Sequence, residues 1–389
     1  MTYSLNRRQF GSGLLATAAG SALLPEAGVA RRRYRGPNVI IVRFGGGVRR
    51  RETIDPDHTY APYLRHVMAR RGTLYTDMRI SAQDGVVTSH AQGTLYILTG
   101  RYDRYQDIEN KFLSERFEPK VPTVFEYLRK TYDVPSHQTL IVNGEDRESE
   151  DFLTFSKNHS SGVNYRSSVL SLHWFKTHLL RAQLKGQDLA DEARQAVKAQ
   201  LDKLEARNYR GEEVAQQVKE LDAFWSRWRR HYGDSGFVNA RGDRLLTQLT
   251  VRALRELRPK LVMVNYQDPD YVHWGNMSHY TRAISIIDEG LRQLVDTVEA
   301  DPHYRGNTVF VVVPDCGRDN NPFMQVSCQH HFNSKSAHEI WALVMGPGVA
   351  RGSIVDKPVN QIGLAATIGQ LMGFRPEFAE GGVLEDVFG

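Results

Sequence analysis

Cysteine is almost absent: Cys316 and Cys328 are the only two in 389 residues. A multi-disulfide framework is excluded, and one Cys316–Cys328 bridge is the most that oxidation can form. Long apolar runs are scarce too. The N-terminal run from Gly11 to Leu24 falls short of the roughly 20 residues a bilayer crossing needs, and no other stretch reads as a span. Nor is there a large excess of one charge. Fifty Lys and Arg against 45 Asp and Glu leave a net charge of +5, which does not argue for a nucleic-acid partner. Internal repeats and low-complexity tracts are absent as well. What remains is 41% hydrophobic and 24% charged, the make-up of a globular protein with a sizeable core, in one large α/β domain or two ordinary ones.

At the N-terminus, Asn6-Arg7-Arg8-Gln9-Phe10 places paired arginines ahead of the apolar run, and Ala27-Gly28-Val29-Ala30 offers a small-residue cleavage site. Residues 1–30 thus resemble a twin-arginine signal, with a general secretory signal as the alternative. The expected partner is the twin-arginine export machinery, and the expected location is the periplasm or the outside of the cell.

Asn38–Phe44, Thr139–Val142, Leu261–Val264, Thr308–Val313 and Ile340–Met345 are short, β-branched runs that end in polar or glycine-rich residues. Helical patterns lie between them at Val124–Lys130, Thr281–Val298 and Gln361–Met372. The alternation predicts an α/β fold: a mostly parallel sheet with helices on both faces, spanning residues 31–389. From about 165 to 233 the pattern is charged and helical, with Val214, Val218, Leu221, Trp225 and Trp228 on one stripe. This stretch is expected to be a helical insertion, either packed on the core or capping a site.

In sheets of this kind, ligands collect outside the carboxyl ends of the strands. Asp270 and His273 follow one apolar run, Asp315 and Cys316 follow another, and His330-His331 come after a polar loop. Carboxylate, thiol and imidazole are the donors zinc takes most readily. Asp268 competes with Asp270, and Cys316 stands open between metal ligand and disulfide partner. Gly45-Gly46-Gly47 can serve a tight turn or offer N–H groups to an anion. Arg49-Arg50-Arg51 can hold an anionic substrate or form a solvated face, and Arg318 and Asp319 can orient the ligands.

Several pieces in order resemble the alkaline phosphatase superfamily, which includes sulfatases and nucleotide phosphodiesterases. They are the opening strand Asn38–Phe44, the segment Leu95-Tyr96-Ile97-Leu98-Thr99-Gly100-Arg101, the helix start Val121-Pro122-Thr123-Val124, the pair Asp270 and His273 with Ala283–Asp288 behind it, the run Asn307–Arg318, and Glu339–Gly348. The resemblance implies hydrolysis or transfer of a small anionic phosphate or sulfate ester, with one or two divalent ions, zinc foremost. Asp270, His273 and His330 or His331 match one metal site. The other departs from the family: Gly45 follows the first strand where an Asp is expected, and Cys316 stands for a His. The nucleophile position falls at His90, with Ser89 and Thr88 adjacent. Two expectations follow. One is an exported metal-dependent ester hydrolase with an altered second metal site, in which Asp315, Cys316 and His90 hold a second ion or none is held. The other is a catalytically retired scaffold that binds an anionic ligand, glycan or partner.

Overall fold

The run Asn38–Phe44 forms β1, with all seven residues buried, between two parallel neighbours. In this computed structural model the described residues are 32–103, 119–144, 153–186, 189–206, 218–236, 242–273, 276–321, 323, 328–330 and 334–389. The 1–30 segment therefore lies outside them. The other strands are β2 (Gly72–Arg79), β3 (Thr139–Val142), β4 (Ser168–Leu170), β5 (Leu261–Tyr266), β6 (Thr308–Val313), β7 (Glu339–Met345), β8 (Ser353–Val355) and β9 (Val359–Asn360). They form one sheet in the order β4-β3-β5-β1-β6-β7-β2-β8, with β9 also beside β2. β7 runs antiparallel to both neighbours and every other pairing is parallel.

Alternation along each strand sends side chains to two separate cores. Ile40, Val42 and Phe44 of β1 join one, while Val39 and Ile41 join the other. The first core is closed by α4 (Leu172–Lys185), α6 (Lys219–Tyr232), α7 (Asp243–Leu257) and α8 (Met277–Ala300). The second is closed by α2 (His90–Thr99), α3 (Val124–Thr131) and α10 (Gly363–Met372). The expected doubly covered, mostly parallel sheet is what the chain builds.

Three details differ from the pattern expected of the sequence. β2 was not anticipated, because Thr73, Thr76, Asp77 and Arg79 interrupt its apolar side chains. β7 is reversed, so its glycine-rich exit, Gly346-Pro347-Gly348, lies on the rim away from the carboxyl ends of β1, β5 and β6. The 165–233 stretch opens with edge strand β4 before it turns helical in α4, α5 (Asp191–Glu205) and α6. On α6 the expected stripe is partly realised. Trp225 and Trp228 are buried in the first core and Leu221 packs against it, while Val214 lies outside the described residues. Among the described residues, no helix is long and apolar enough to cross a membrane.

Candidate metal centre

β1, β5 and β6 are in register, with Arg43 paired to Asn265 on one side and Val313 on the other. Their exits therefore emerge together. From β6 comes Asp315. From β5 comes the 3-10 turn Asp268–Val272, which carries Asp270 and leads to His273. β1 exits through Gly45-Gly46-Gly47, which lies flat against both of those loops. Gly46 and Gly47 have φ of +85° and +67°, and a Cβ on Gly46 would strike the Asp270 backbone nitrogen. One on Gly47 would come within 3.3 Å of the Cys316 sulfur. Helix α2 then delivers His90 as its first residue. Ser89 caps that helix by accepting the Gln92 N–H at 3.3 Å, and Gly100 closes its far end with φ of +71°.

Arg318 ties these loops together. Its buried guanidinium donates to the carbonyls of Gly47 (2.7 Å), Pro269 (2.8 Å), Gly46 and Cys328, and its charge lies 5.2 Å over the Tyr280 ring. A single side chain thus pins the segments that carry Asp270, Asp315 and His330.

Asp270 Oδ1 is the focus of the centre. His273 Nε2 lies at 2.6 Å, His90 Nε2 at 2.7 Å and His330 Nε2 at 3.6 Å. The donor atoms of these four residues all fall within 4.8 Å of one another. Two of the imidazoles are oriented from behind. His330 Nδ1 faces the Thr88 carbonyl at 3.1 Å, and His90 Nδ1 faces Asp315 Oδ2 at 2.8 Å. A carbonyl or carboxylate behind Nδ1 keeps the proton there and turns the Nε2 lone pair inward. A second group, His90, Asp315 and Cys316, also has its donor atoms within 4.8 Å of one another, on the inner side.

Burial would push the Asp270 carboxyl up, but the His90 charge and the hydrogen bonds from His273, His330 and His90 hold it well below the usual carboxylate range. Asp315 behaves alike: burial raises it, while His90 and then Arg43 outweigh that and keep it ionised. Burial disfavours a charged His90, yet Asp270 and Asp315 lift it well above its ordinary value. Burial, aided by Asp315, pushes the Cys316 thiol up to about 11.

Asp270, His273, His330, His90, Asp315 and Cys316 come together, and His331 lies outside the described residues. Thr88 is buried and donates its hydroxyl to the His330 carbonyl at 2.6 Å. Ser89 is the helix cap. Asp268 turns away and accepts the Asp243 N–H. Both cysteines are free thiols in this structure, and Cys328 faces the Met277 sulfur at 3.2 Å. The Gly47 N–H points to Asp315 Oδ1 at 3.3 Å, so the glycine loop serves the protein's own carboxylate. Arg49 pairs with Glu52, and Arg50 with Asp77. Sequence reasoning missed Arg43. It is fully buried, with Nε 3.9 Å from Asp315 Oδ2 and Nη1 donating to Thr94 at 2.9 Å. Its signal was present: a lone arginine inside an otherwise apolar, β-branched strand.

No family model matches the chain, and no curated protein matches it by sequence. Solved structures do match. Wild-type alkaline phosphatase PafA aligns with a TM-score of 0.55 at 12% identity, over 91% of this chain and 99% of its own. A protein in the alkaline phosphatase superfamily from Vibrio parahaemolyticus gives 0.51 at 12% identity, over 91% and 71%. A 2-O GAG sulfatase gives 0.51 at 11%, over 91% and 74%. The fold is the one these solved structures share. At such identities the likeness speaks for the fold alone, and the chemistry has to be argued from the centre itself.

Proposed function

We propose that this chain is an exported, metal-dependent hydrolase of phosphate or sulfate esters with an altered second metal site. One observation carries the reading: a carboxylate oxygen with three imidazole nitrogens around it, at the carboxyl rim of a sheet whose structural relatives include a phosphatase and a sulfatase. The donor set fits zinc or a similar divalent ion. One Asp oxygen and imidazole nitrogens converge, and two of the imidazoles have Nδ1 facing a carbonyl or carboxylate, the placement that leaves Nε2 for a metal once its proton is displaced. A divalent ion bound there supplies a Lewis acid for a phosphoryl or sulfuryl oxygen.

The protein's own contribution is to hold Asp270 ionised, to aim Nε2 of His90 and His330, and to leave the Asp270 and His273 side of the centre open. Those two side chains are 18% and 21% exposed, whereas His330 and Asp315 are closed off. Substrate therefore enters from the Asp270 side. Paired arginines ahead of an apolar run support export by the twin-arginine route to the periplasm or cell exterior.

A second reading has its own observation. The Thr88 hydroxyl donates to the His330 carbonyl, and the Ser89 oxygen accepts a backbone N–H as a helix cap, so Thr88 is not presented as a nucleophile. That favours a scaffold that holds an anionic ligand without turning it over. Purified exported protein, assayed with aryl phosphate and aryl sulfate esters before and after chelation, separates the two. We expect turnover of one ester class, lost on chelation and lost in His273→Ala. Absence of turnover on both classes by metal-loaded protein, with tight binding of phosphate or sulfate, would leave the binding scaffold in its place.

A further inference from the structure

We infer that the centre takes a single ion, that His90 is its fourth protein ligand, and that Asp315, fixed by Arg43, positions His90 and does not bind a second ion. This rests on the metal reading above and sharpens it.

The inner group looks at first like a second site, since His90, Asp315 and Cys316 lie close together. Its carboxylate is already engaged on both oxygens. Asp315 Oδ1 accepts the N–H of Cys316 at 2.8 Å and of Gly47 at 3.3 Å. Oδ2 accepts His90 Nδ1–H at 2.8 Å and has the Arg43 Nε at 3.9 Å, with both side chains fully buried. A fixed guanidinium beside this carboxylate supplies the positive charge that a second ion would bring and repels any ion placed there. No extra carboxylate can join from β1. At position 45 a Cβ would drive into the Tyr266 backbone carbonyl and lie 3.0 Å from the Arg43 Nε. The inner residues do not fit a second divalent ion.

They fit another role. An imidazole that ligates a metal through one nitrogen usually donates its other N–H to a carboxylate or carbonyl. His90 has that arrangement: Nδ1 on Asp315 and Nε2 among Asp270, His273 and His330. His330 has the same arrangement, with the Thr88 carbonyl behind it. Arg43 completes the chain of support by holding Asp315 from β1 while its other end is fixed on Thr94 of α2, the helix that carries His90. The position where the family resemblance puts a nucleophile is therefore a metal-holding position in this chain, and Asp315 and Arg43 are positioning residues.

The test is a metal titration of the full exported chain, stripped by chelator and reloaded with zinc or cobalt(II). One equivalent is expected. The cobalt form should lack the near-ultraviolet sulfur-to-cobalt band, and Cys316→Ala should bind metal as the wild type does. His90→Ala and Asp315→Asn should each keep one equivalent at weaker affinity. For Asp315→Asn the loss is about 10- to 100-fold, with a changed cobalt visible spectrum. Arg43→Gln should weaken binding similarly, and Arg43→Lys should restore most of it. Two equivalents, a sulfur-to-cobalt band that vanishes in Cys316→Ala, or unchanged affinity in His90→Ala each overturn this inference and leave the hydrolase reading standing. Zero equivalents overturns both. The Cys316→Ala and stoichiometry results decide the matter even if Arg43→Gln does not fold.

Discussion

Asp270 and Asp315 are two carboxylates at neighbouring strand exits, and both bond the same imidazole, one from each side. Their other partners differ in kind. Around Asp270 stand imidazoles, which can give up a proton and offer a lone pair. Around Asp315 stand backbone N–H groups and a guanidinium, which are donors only and cannot change role. Both carboxyls are held below their ordinary range, but only the first has surroundings that can exchange protons for a cation. The lesson is that a low pKa marks a carboxylate as ionised, while the chemistry of its donors decides whether an ion can replace them.

Removing the focus gives the largest effect. Asp270→Asn keeps the shape and deletes the charge around which three imidazoles converge. Metal affinity should fall by more than the ~100-fold that loss of a supporting partner costs, because the group lost is itself a ligand. Elemental analysis after dialysis should find little or no ion. Stoichiometric metal in this variant would mean that the focus lies elsewhere, with Asp315 the obvious candidate.

Next comes the attempt to make the two sides alike. Gly45→Asp restores the carboxylate expected after β1, yet its Cβ meets the backbone of β5, which cannot step aside as a flexible side chain can. Gly45→Ala isolates that steric part. A loss of about 3 kcal/mol is expected, at the upper end for overpacking, read as a lowered urea midpoint at unchanged slope. If Gly45→Asp instead folded normally and gained a second equivalent of zinc, the contrast drawn between the two carboxylates would fail.

A third carboxylate provides the baseline. Asp288 on α8 is buried and accepts the N–H groups of Tyr63 and Leu64 at 2.9 and 2.8 Å. Burial pushes it up to about 6, and those two donors do not cancel the effect. The folded carboxyl keeps its proton to about pH 6, whereas the unfolded one loses it near ~3.9. Between those values the folded state binds more protons, so this group's contribution falls as pH rises, by about 3 kcal/mol at most. Asp270 and Asp315 have the opposite sign: their contribution is present above the unfolded pKa and is lost on acidification. The stability difference between wild type and Asp288→Asn, measured by urea unfolding, should therefore move against the wild type from pH 4 to 6.5. A flat difference would show that backbone N–H groups alone hold this carboxylate ionised, and would remove the baseline.

Much of this was legible in the sequence where local pattern dictates structure. Asn38–Phe44, Thr139–Val142 and Thr308–Val313 are strands with the expected bounds, because β-branched runs buried on both faces leave little alternative. Asp270, His273, His330 and Asp315 were identifiable as strand-exit or loop donors. What pattern could not convey was the direction of β7, which depends on its neighbours β6 and β2, and the side-chain partnerships at the centre. Ser89 and Thr88 read as nucleophile candidates from spacing alone. The Thr88 hydroxyl is committed to a carbonyl 242 residues along the chain, which no local signal records, whereas Ser89 accepts the Gln92 N–H as a helix cap, which its Ser-x-x-Gln spacing does signal. Arg43 was hidden for the converse reason. Its strand reads as core, and its partner Asp315 lies 272 positions away.

The smallest expected effect tests the Asp270 side most delicately. Thr88 and His330 clamp each other: the Thr88 hydroxyl donates to the His330 carbonyl at 2.6 Å, and His330 Nδ1 faces the Thr88 carbonyl at 3.1 Å. Thr88→Val keeps the shape and the second contact but deletes the first, at a cost of about 1 kcal/mol for one buried hydrogen bond. If His330 is aimed through this clamp, part of that cost appears in metal binding, as a weakening of up to about fivefold, with stoichiometry unchanged. Turnover of a phosphate or sulfate ester should survive, because the hydroxyl acts only through its hold on His330. Should turnover vanish while the metal stays fully bound, Thr88 would be the attacking group. The division of labour on this side of the centre would then be reversed, with the side chain taken here as support carrying out the chemistry.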